Sequence, residues 1–449
     1  MNNLYDLFLA TDATQVEINP FGEGAYVGRD EDTDVFCVES VDDDCLRQVQ
    51  EQTELAGLQL LAARLPIDTV AAGGGSIIRS VADRLQVGPQ SAGARPGPAC
   101  YRAGGPLTIT DANLLLGRLQ LDRFPTVFGP NADQPPDPVV VREQFNRLSA
   151  SLGRSAEQLA EGALQLTVER MADAVRRVSL HRGIDLRGGV LVAYGGASGQ
   201  HACRLAEQLG LSAVLCHPLA GVLSAYGMGQ AQQRLRLQRN LAAALSDALL
   251  PSLEAQIDQL TQQAQRQLQH QGDLAADQDG VERWVGLDLR YPASDQSLTI
   301  GWSADLDRQA LESAFLARHQ QRYGYCVDDN AELILDTLTV DVAAPQGYAP
   351  SAASTAQDRT PPNASQPTRW VPLHDQQLGW RQVPLWDREQ LRSDQRLQGP
   401  ALISDDTGCI VLEPGWTSHG QADGTLLLTH VPCTSPEASS AGVDQNDPV

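Results

Sequence analysis

Basic residues are scarce in this chain. Against 56 Asp and Glu stand only 33 Lys and Arg, giving a formal net charge of −23. A field of that sign argues against nucleic acid or an anionic membrane surface as partner. It leaves phosphate binding open, because backbone amides and a metal can supply local positive potential. Also lacking are a run of 18 apolar residues and a basic-then-apolar leader, so a soluble, cytoplasmic protein is expected. The eight cysteines (37, 45, 100, 203, 216, 326, 409 and 433) include no CxxC pair, and the eight histidines show no HxxxH or HExxH spacing. Neither a disulfide frame nor a local zinc motif fits, and reduced thiols do. The dinucleotide fingerprint is missing too. Where glycines cluster at 195–199 the spacing is GGxxG rather than GxGxxG. Roughly 20 residues on, where an acid would hold a ribose, stands His217, so NAD is not the expected cofactor.

What is present is ample material for a core: 449 residues, 42% of them apolar, predict two or three domains. The most legible stretch is 190–229. Val190 to Tyr194 reads as a strand buried on both faces, Gly195, Gly196 and Gly199 as a sharp turn, Gln200 to Leu209 as a helix stopped by Gly210, and Ala213 to Cys216 as a second strand. Such a unit leaves a helix N-terminus facing a crevice where an anion or nucleotide can sit. The plainer reading is that the glycines only make the turn.

Upstream, residues 1–50 are strongly acidic, with short strands expected at 26–27 and 35–38, and residues 45–64 read as an amphipathic helix. An apolar approach at 67–72 leads to Gly73, Gly74, Gly75 and Ser76. Three consecutive glycines are conformationally costly, which suggests a close backbone approach there. The Gly- and Pro-rich segment 87–106 can be neither helix nor central strand. A helix is expected over 112–119, with Thr110 or Asp111 as its N-cap, and further helices over 139–149 and 155–182. Residues 230–271 read as one or two long amphipathic helices broken near Pro251. Strands follow over 283–302, a helix over 305–322 and a strand over 333–342. A Pro/Ser/Ala linker then leads to short strands over 370–430 and a polar tail.

Several stretches carry a resemblance: VAAGGGS (70–76), the segment 87–119, FPTVFGPNADQP (124–135), VAYGGASGQHACRLAEQLG (192–210) and PLAGVLSAYGMG (218–229). Weaker echoes are LDLRY (287–291), HQQRYGY (319–325), GPALI (399–403) and EPGW (413–416). Together they resemble the hydantoinase A/5-oxoprolinase family, on its ATP-dependent 5-oxoprolinase side. The resemblance implies an α/β, actin/hexokinase-like ATPase lobe, ATP and Mg²⁺ as cofactors, and the opening of a cyclic amide by water. For 5-oxo-L-proline the product is L-glutamate; hydantoin is the rival substrate. It further implies that Gly195, Gly196 and Gly199 lie at the adenosine-side turn. Gly73, Gly74, Gly75 and Ser76 would face nucleotide or substrate. Asp111 would orient a metal-bound or attacking water, with a simple capping role as the competing reading. His201 would contact substrate or phosphate, or merely pack. Arg95 and Arg102 would bind a substrate carboxylate, or else lie on the surface. Cys100 and Cys203 read as small buried residues.

One departure stands out. Members of the family carry glycine-threonine phosphate loops of the type DRGGTxTD, whereas in Gly28 to Phe36 both of these glycine positions are acidic, and Asp30, Glu31 and Asp32 would face the phosphates. Each acid held close to a phosphate repels it by about 1 kcal/mol even in a water-like dielectric. Only Thr33 and Asp34 keep the pattern, as nucleotide or metal contacts. The expected organisation is therefore an acidic N-terminal segment (1–65) and an incomplete actin-like core (66–229). A helical and α+β segment (230–345), a linker (346–368), a small β-rich domain (369–432) and a disordered tail (433–449) follow. A separate N-terminal lobe or B-type subunit is the expected partner, in an oligomer. A non-catalytic subunit that keeps the fold without the ATPase is the alternative.

Overall fold

The computed structural model describes residues 70–430 with short breaks (71, 183–184, 187, 231–233, 272–280, 295, 326–331, 345–365, 377–378, 393–394 and 422–423), plus the backbone of strands at 35–38, 50–55 and 58–64. Its centre is the strand–turn–helix–strand unit read from the sequence. Val190–Ala193 and Ala213–Cys216 lie parallel, Val190 beside Ala213 and Ala193 beside Cys216, joined through the helix Ala202–Leu209. That helix ends where expected: Gly210 takes φ 74° and donates its N–H to the Ala206 and Glu207 carbonyls. A left-handed C-terminal residue closes the orphan carbonyls at no Cβ cost.

This pair sits inside a six-stranded sheet in the order 35–38, 190–193, 213–216, 426–430, 416–420, 396–398. Val35–Val38, from the acidic N-terminal segment, pairs antiparallel with Val190–Ala193 at one edge. At the other side Leu426–His430 pairs with the 213–216 strand, Leu426 opposite Cys216. Three strands of the β-rich region expected at 369–432 (396–398, 416–420 and 426–430) pair within this sheet. Fully buried Trp416 shares one apolar cluster with Leu191, Val214 and Leu205, and its indole N–H donates to Glu207 Oε1 at 2.6 Å. The long helix Ala156–Arg182 adds Val168, Met171, Ala172 and Val175 to the same cluster.

The rest of the C-terminal region forms a four-stranded sheet, 369–375, 379–387, 401–404 and 409–412, laid against that core. Ala401–Ser404 and Cys409–Leu412 are buried at every position because they have a core on each face. Ile403, Ile410 and Leu412 point to the central cluster, while Leu402, Cys409 and Val411 point to Val371, Leu373, Val383 and Leu385. Side chains alternate across a strand, so two cores require an unbroken apolar run.

Residues 234–343 build a module of their own: strand Arg234–Ala244, helix Leu250–Gln271, strands Glu282–Arg290 and Leu298–Gly301, helix Arg308–Tyr323 and strand Ile334–Ala343. The sheet order is 298–301, 282–290, 334–343, 234–244, all neighbours antiparallel. The single or double helix expected over 230–271 is corrected to a strand followed by a helix, with Pro251 near the helix start, where its missing N–H costs nothing. The helix expected at 45–64 is likewise corrected to the paired strands Gln50–Leu55 and Leu58–Arg64. Ser76–Val81 and Arg84–Ser91 form a two-stranded ribbon. This accommodates Pro89 near its end, since a two-stranded ribbon has no central strand.

Candidate functional site

The two parallel strands end together, and the glycine turn leaves from one of those ends. Gly195 takes φ 95°, a conformation that disfavours any side chain, and its N–H donates to Ala220 O at 2.8 Å. Ser198 Oγ donates back to Gly195 O at 3.2 Å. The need for glycine at 199 comes from protein packing: a Cβ there would lie 2.8 Å from Cys409 O and 2.9 Å from Ile410 Cγ1. Gly196 and Gly221 are pressed by Thr407 from the loop between the 401–404 and 409–412 strands. The C-terminal region therefore closes one side of the turn.

The second glycine turn closes on itself. Ser76 N–H donates to Gly73 O, and Gly73 N–H to Ser76 Oγ, both at 3.1 Å. Gly74 O accepts from both the N–H and the hydroxyl of Thr110, and Gly75 O accepts from Ala92 N–H. A Cβ on Gly74 would meet Thr110 Oγ1 at 2.8 Å. Ala72, just before this turn, packs in one cluster with Ala193, Ala202 and Cys203, which bracket the 195–201 turn. Both bends thus leave a single core. Among the described residues no protein acceptor meets the N–H groups of Gly74, Gly75 and Gly196.

Asp111 takes the capping position that the sequence offered as its competing role. The helix Ile109–Leu115 starts one turn earlier than expected, with Thr108 as its N-cap and Asp111 as the third residue of a capping box. The carboxylate is fully buried. Its Oδ2 accepts from Ala99 N–H, Thr108 N–H and Thr108 Oγ, and its Oδ1 from Cys100 N–H, at 2.8–3.0 Å. Burial pushes the carboxyl up from its usual range against the pull of those donors. Asp111, expected as a catalytic and metal-binding residue, is thus met by four protein donors and is 0% exposed. It fastens the Gly/Pro segment to the helix, while its neighbour Thr110 fastens the glycine turn.

Arg102 is engaged as well. Its Nε donates to Pro135 O at 2.7 Å and a terminal nitrogen pairs with Asp137 at 2.9 Å, while Asp137 also caps the helix Pro138–Leu152. A substrate carboxylate would have to displace that acid. Arg95 lies exposed on the same Gly/Pro segment. Thr33 and Asp34 lie outside the described residues. Among the described residues no group of three or more His, Cys, Asp and Glu side chains could hold a metal ion. Cys100 and Cys203 are buried, and burial raises both thiols, as expected for packing residues.

Sequence reasoning missed a buried ionic lock around residue 200. Arg118, fully buried, donates to Gln200 O at 2.6 Å and to Glu413 Oε1 at 2.8 Å. Arg204 bridges the same Glu413 oxygen at 2.6 Å and Glu161 at 2.9 Å, and His374 lies 3.4 Å from Glu161. Burial would push the Glu413 carboxyl up, but Arg118 and Arg204 beside it hold it below the usual carboxylate range. His201 sits beside this lock, 1% exposed, and neither ring nitrogen meets a hydrogen-bond partner among the described residues. Burial, reinforced by the charges of Arg118 and Arg204, pushes its imidazole down to about 3, so it is neutral near pH 7. The one signal in the sequence was an arginine, Arg118, inside the apolar run LLLGRL; its partner lies 295 residues away.

Comparison with known proteins fits this geometry. The family profile described as Hydantoinase/oxoprolinase matches residues 35–237, which contain both glycine turns. The chain is 35% identical over 391 residues to the 5-oxoprolinase PfmaA of Pestalotiopsis fici, covering 84% of this chain and 29% of that protein. It is 32% identical to the caprolactamase subunit alpha of Pseudomonas jessenii, covering 81% of this chain and 52% of that one. The crystal structure of the ATP-dependent caprolactamase from Pseudomonas jessenii superposes with a TM-score of 0.71 at 28% identity, over 91% of this chain and 59% of the other. The chain thus spans about half, or less, of the curated relatives it matches. Motifs, fold and similarity agree, and the chain belongs to the hydantoinase/oxoprolinase family.

Proposed function

We propose that this chain forms the nucleotide-facing part of an actin-like, ATP-dependent cyclic amidase that opens 5-oxo-L-proline to L-glutamate. The observation that carries this reading is the pair of glycine turns leaving one core with backbone N–H groups that no acceptor among the described residues claims. Such amides suit phosphate oxygens in a chain whose net charge is −23, since they attract the anion without adding a side chain. ATP, when bound, supplies a phosphoryl group able to turn a stabilised lactam into an electrophile that water attacks. The chain's own share is to orient that anion at Gly74, Gly75 and Gly196, with the ionic lock behind Gln200 holding the second turn rigid. Mg²⁺ would reach the phosphates through ligands other than Asp111, whose oxygens are committed.

The relatives' names favour a lactam over hydantoin as substrate. The name of the caprolactamase relative, a subunit alpha, favours a further polypeptide, carrying an N-terminal lobe or a B-type subunit, as the partner in catalysis. The acids Asp30, Glu31 and Asp32 in the Gly28–Phe36 stretch support a second reading, a non-catalytic subunit. The decisive measurement is release of glutamate coupled to ADP formation from 5-oxoproline. Hydantoin runs in parallel, each with and without ATP and with and without a co-expressed partner that carries glycine-threonine loops. ATP-dependent glutamate release supports the amidase. ATP binding with no ring opening under any combination supports the subunit reading.

A further inference from the structure

The segment that follows the second parallel strand carries an apolar stripe that the fold leaves uncovered. Leu219, Val222 and Tyr226 recur at i, i+3 and i+7, which aligns them on one side of the turn Ala220–Val222 and the helix Leu223–Gln230. They are 40%, 42% and 38% exposed. The opposite side of the same segment is fixed to the sheet: Leu223 is buried against Val192 and Tyr194, with Leu215 and Ala220 packed beside them. The stripe is thus a rigid surface. His217 extends it, its ring centroid 5.5 Å from that of Tyr226 and inclined by 34°, while its Nδ1 accepts the Leu219 N–H at 3.0 Å.

Position decides what such a surface suits. Ala193 and Cys216 are register partners, so Gly195 and His217 leave the carboxyl ends of neighbouring parallel strands, where ligands of open α/β sheets bind. The Gly195 N–H bond to Ala220 O ties the glycine turn directly to the stripe. An anion at Gly196 and a flat apolar group on Tyr226 would therefore belong to one molecule. We infer that His217, Leu219, Val222 and Tyr226 form the platform for the purine ring of a bound nucleoside triphosphate whose phosphates run toward the glycine turn. The inference rests on the nucleotide reading above and adds the residues that recognise the base.

The test is calorimetric titration of the 449-residue chain with ATP and, separately, with inorganic tripolyphosphate. Tyr226→Ala is expected to weaken ATP by about 5- to 100-fold, the range for losing one stacked base, with tripolyphosphate unchanged. Tyr226→Phe, which keeps the ring, is expected to bind ATP as the parent does. Unchanged ATP affinity in Tyr226→Ala overturns the platform and leaves the nucleotide reading standing, as does an equal loss for both ligands in a variant with unaltered thermal unfolding. Failure of the parent chain to bind ATP overturns both. Should Tyr226→Ala fail to fold, Leu219→Asp on the same exposed stripe repeats the comparison, with the same two outcomes.

Discussion

Glu413→Gln is the substitution that most directly probes why the second glycine turn holds its shape. Glu413 lies 10% exposed between Arg118, at 1%, and Arg204, at 19%. The amide has nearly the same volume and can still accept one hydrogen bond, so packing is preserved and the charge alone is lost. Arg204 keeps Glu161 at 2.9 Å, but Arg118 keeps only the Gln200 carbonyl and no full negative charge. Leaving a buried charge without its partner costs about 3–5 kcal/mol. At roughly 2 °C per kcal/mol for a large domain, the midpoint of thermal unfolding should fall by about 6–10 °C. Arg204→Lys leaves the Arg118–Glu413 pair intact, keeps a cation beside Glu413 and Glu161, and should cost less. The pair of variants, followed by differential scanning calorimetry and far-UV circular dichroism, checks the ranking as well as the size. A Glu413→Gln protein melting within 2 °C of the parent, or one more stable than Arg204→Lys, would refute the view that this acid neutralises the interior behind Gln200.

Two further outcomes follow from the same geometry. The folded His201 imidazole lies at about 3, below its ordinary 6.5, so the unfolded chain takes up a proton that the folded chain refuses. Stability is therefore unaffected above about pH 6.5 and falls by about 1.4 kcal/mol per unit as pH drops toward 3; urea unfolding at several pH values should show this slope flattened by one proton in His201→Leu. Asp111→Asn turns one acceptor into a donor facing either Cys100 N–H or the Ala99 and Thr108 donors. It should destabilise the fold by about 1–3 kcal/mol in denaturant titration. Loss of the proposed ring opening at unchanged stability would instead support a catalytic role for that residue.

The Gln- and Arg-rich region beyond residue 230 shows how a local pattern can be misread. Arg234, Leu235, Arg236 and Leu237 alternate with period two and form a strand, paired edge to edge and antiparallel with the 334–343 strand. Composition favoured helix, and the first residues alone are too few to overrule it. At 109–111 the family resemblance pointed Asp111 toward catalysis, whereas the nearby N–H groups of Ala99, Cys100 and Thr108 had already claimed its carboxylate. Neither point touches the glycine turns, whose residues the resemblance named and whose common core the fold supplies.

The sequence by itself determined the strand–turn–helix–strand unit at 190–216, the buried helix at 156–182 and the two glycine bends, because hydrophobic period and glycine's backbone freedom act over a few residues. Only the tertiary structure decided that residues 416–430 complete the central sheet, that Glu413 neutralises Arg118, and that Leu219, Val222 and Tyr226 stay uncovered. Those outcomes depend on which surfaces meet across hundreds of residues. Burial and charge pairing are properties of the assembled core, and no local pattern in the chain encodes them.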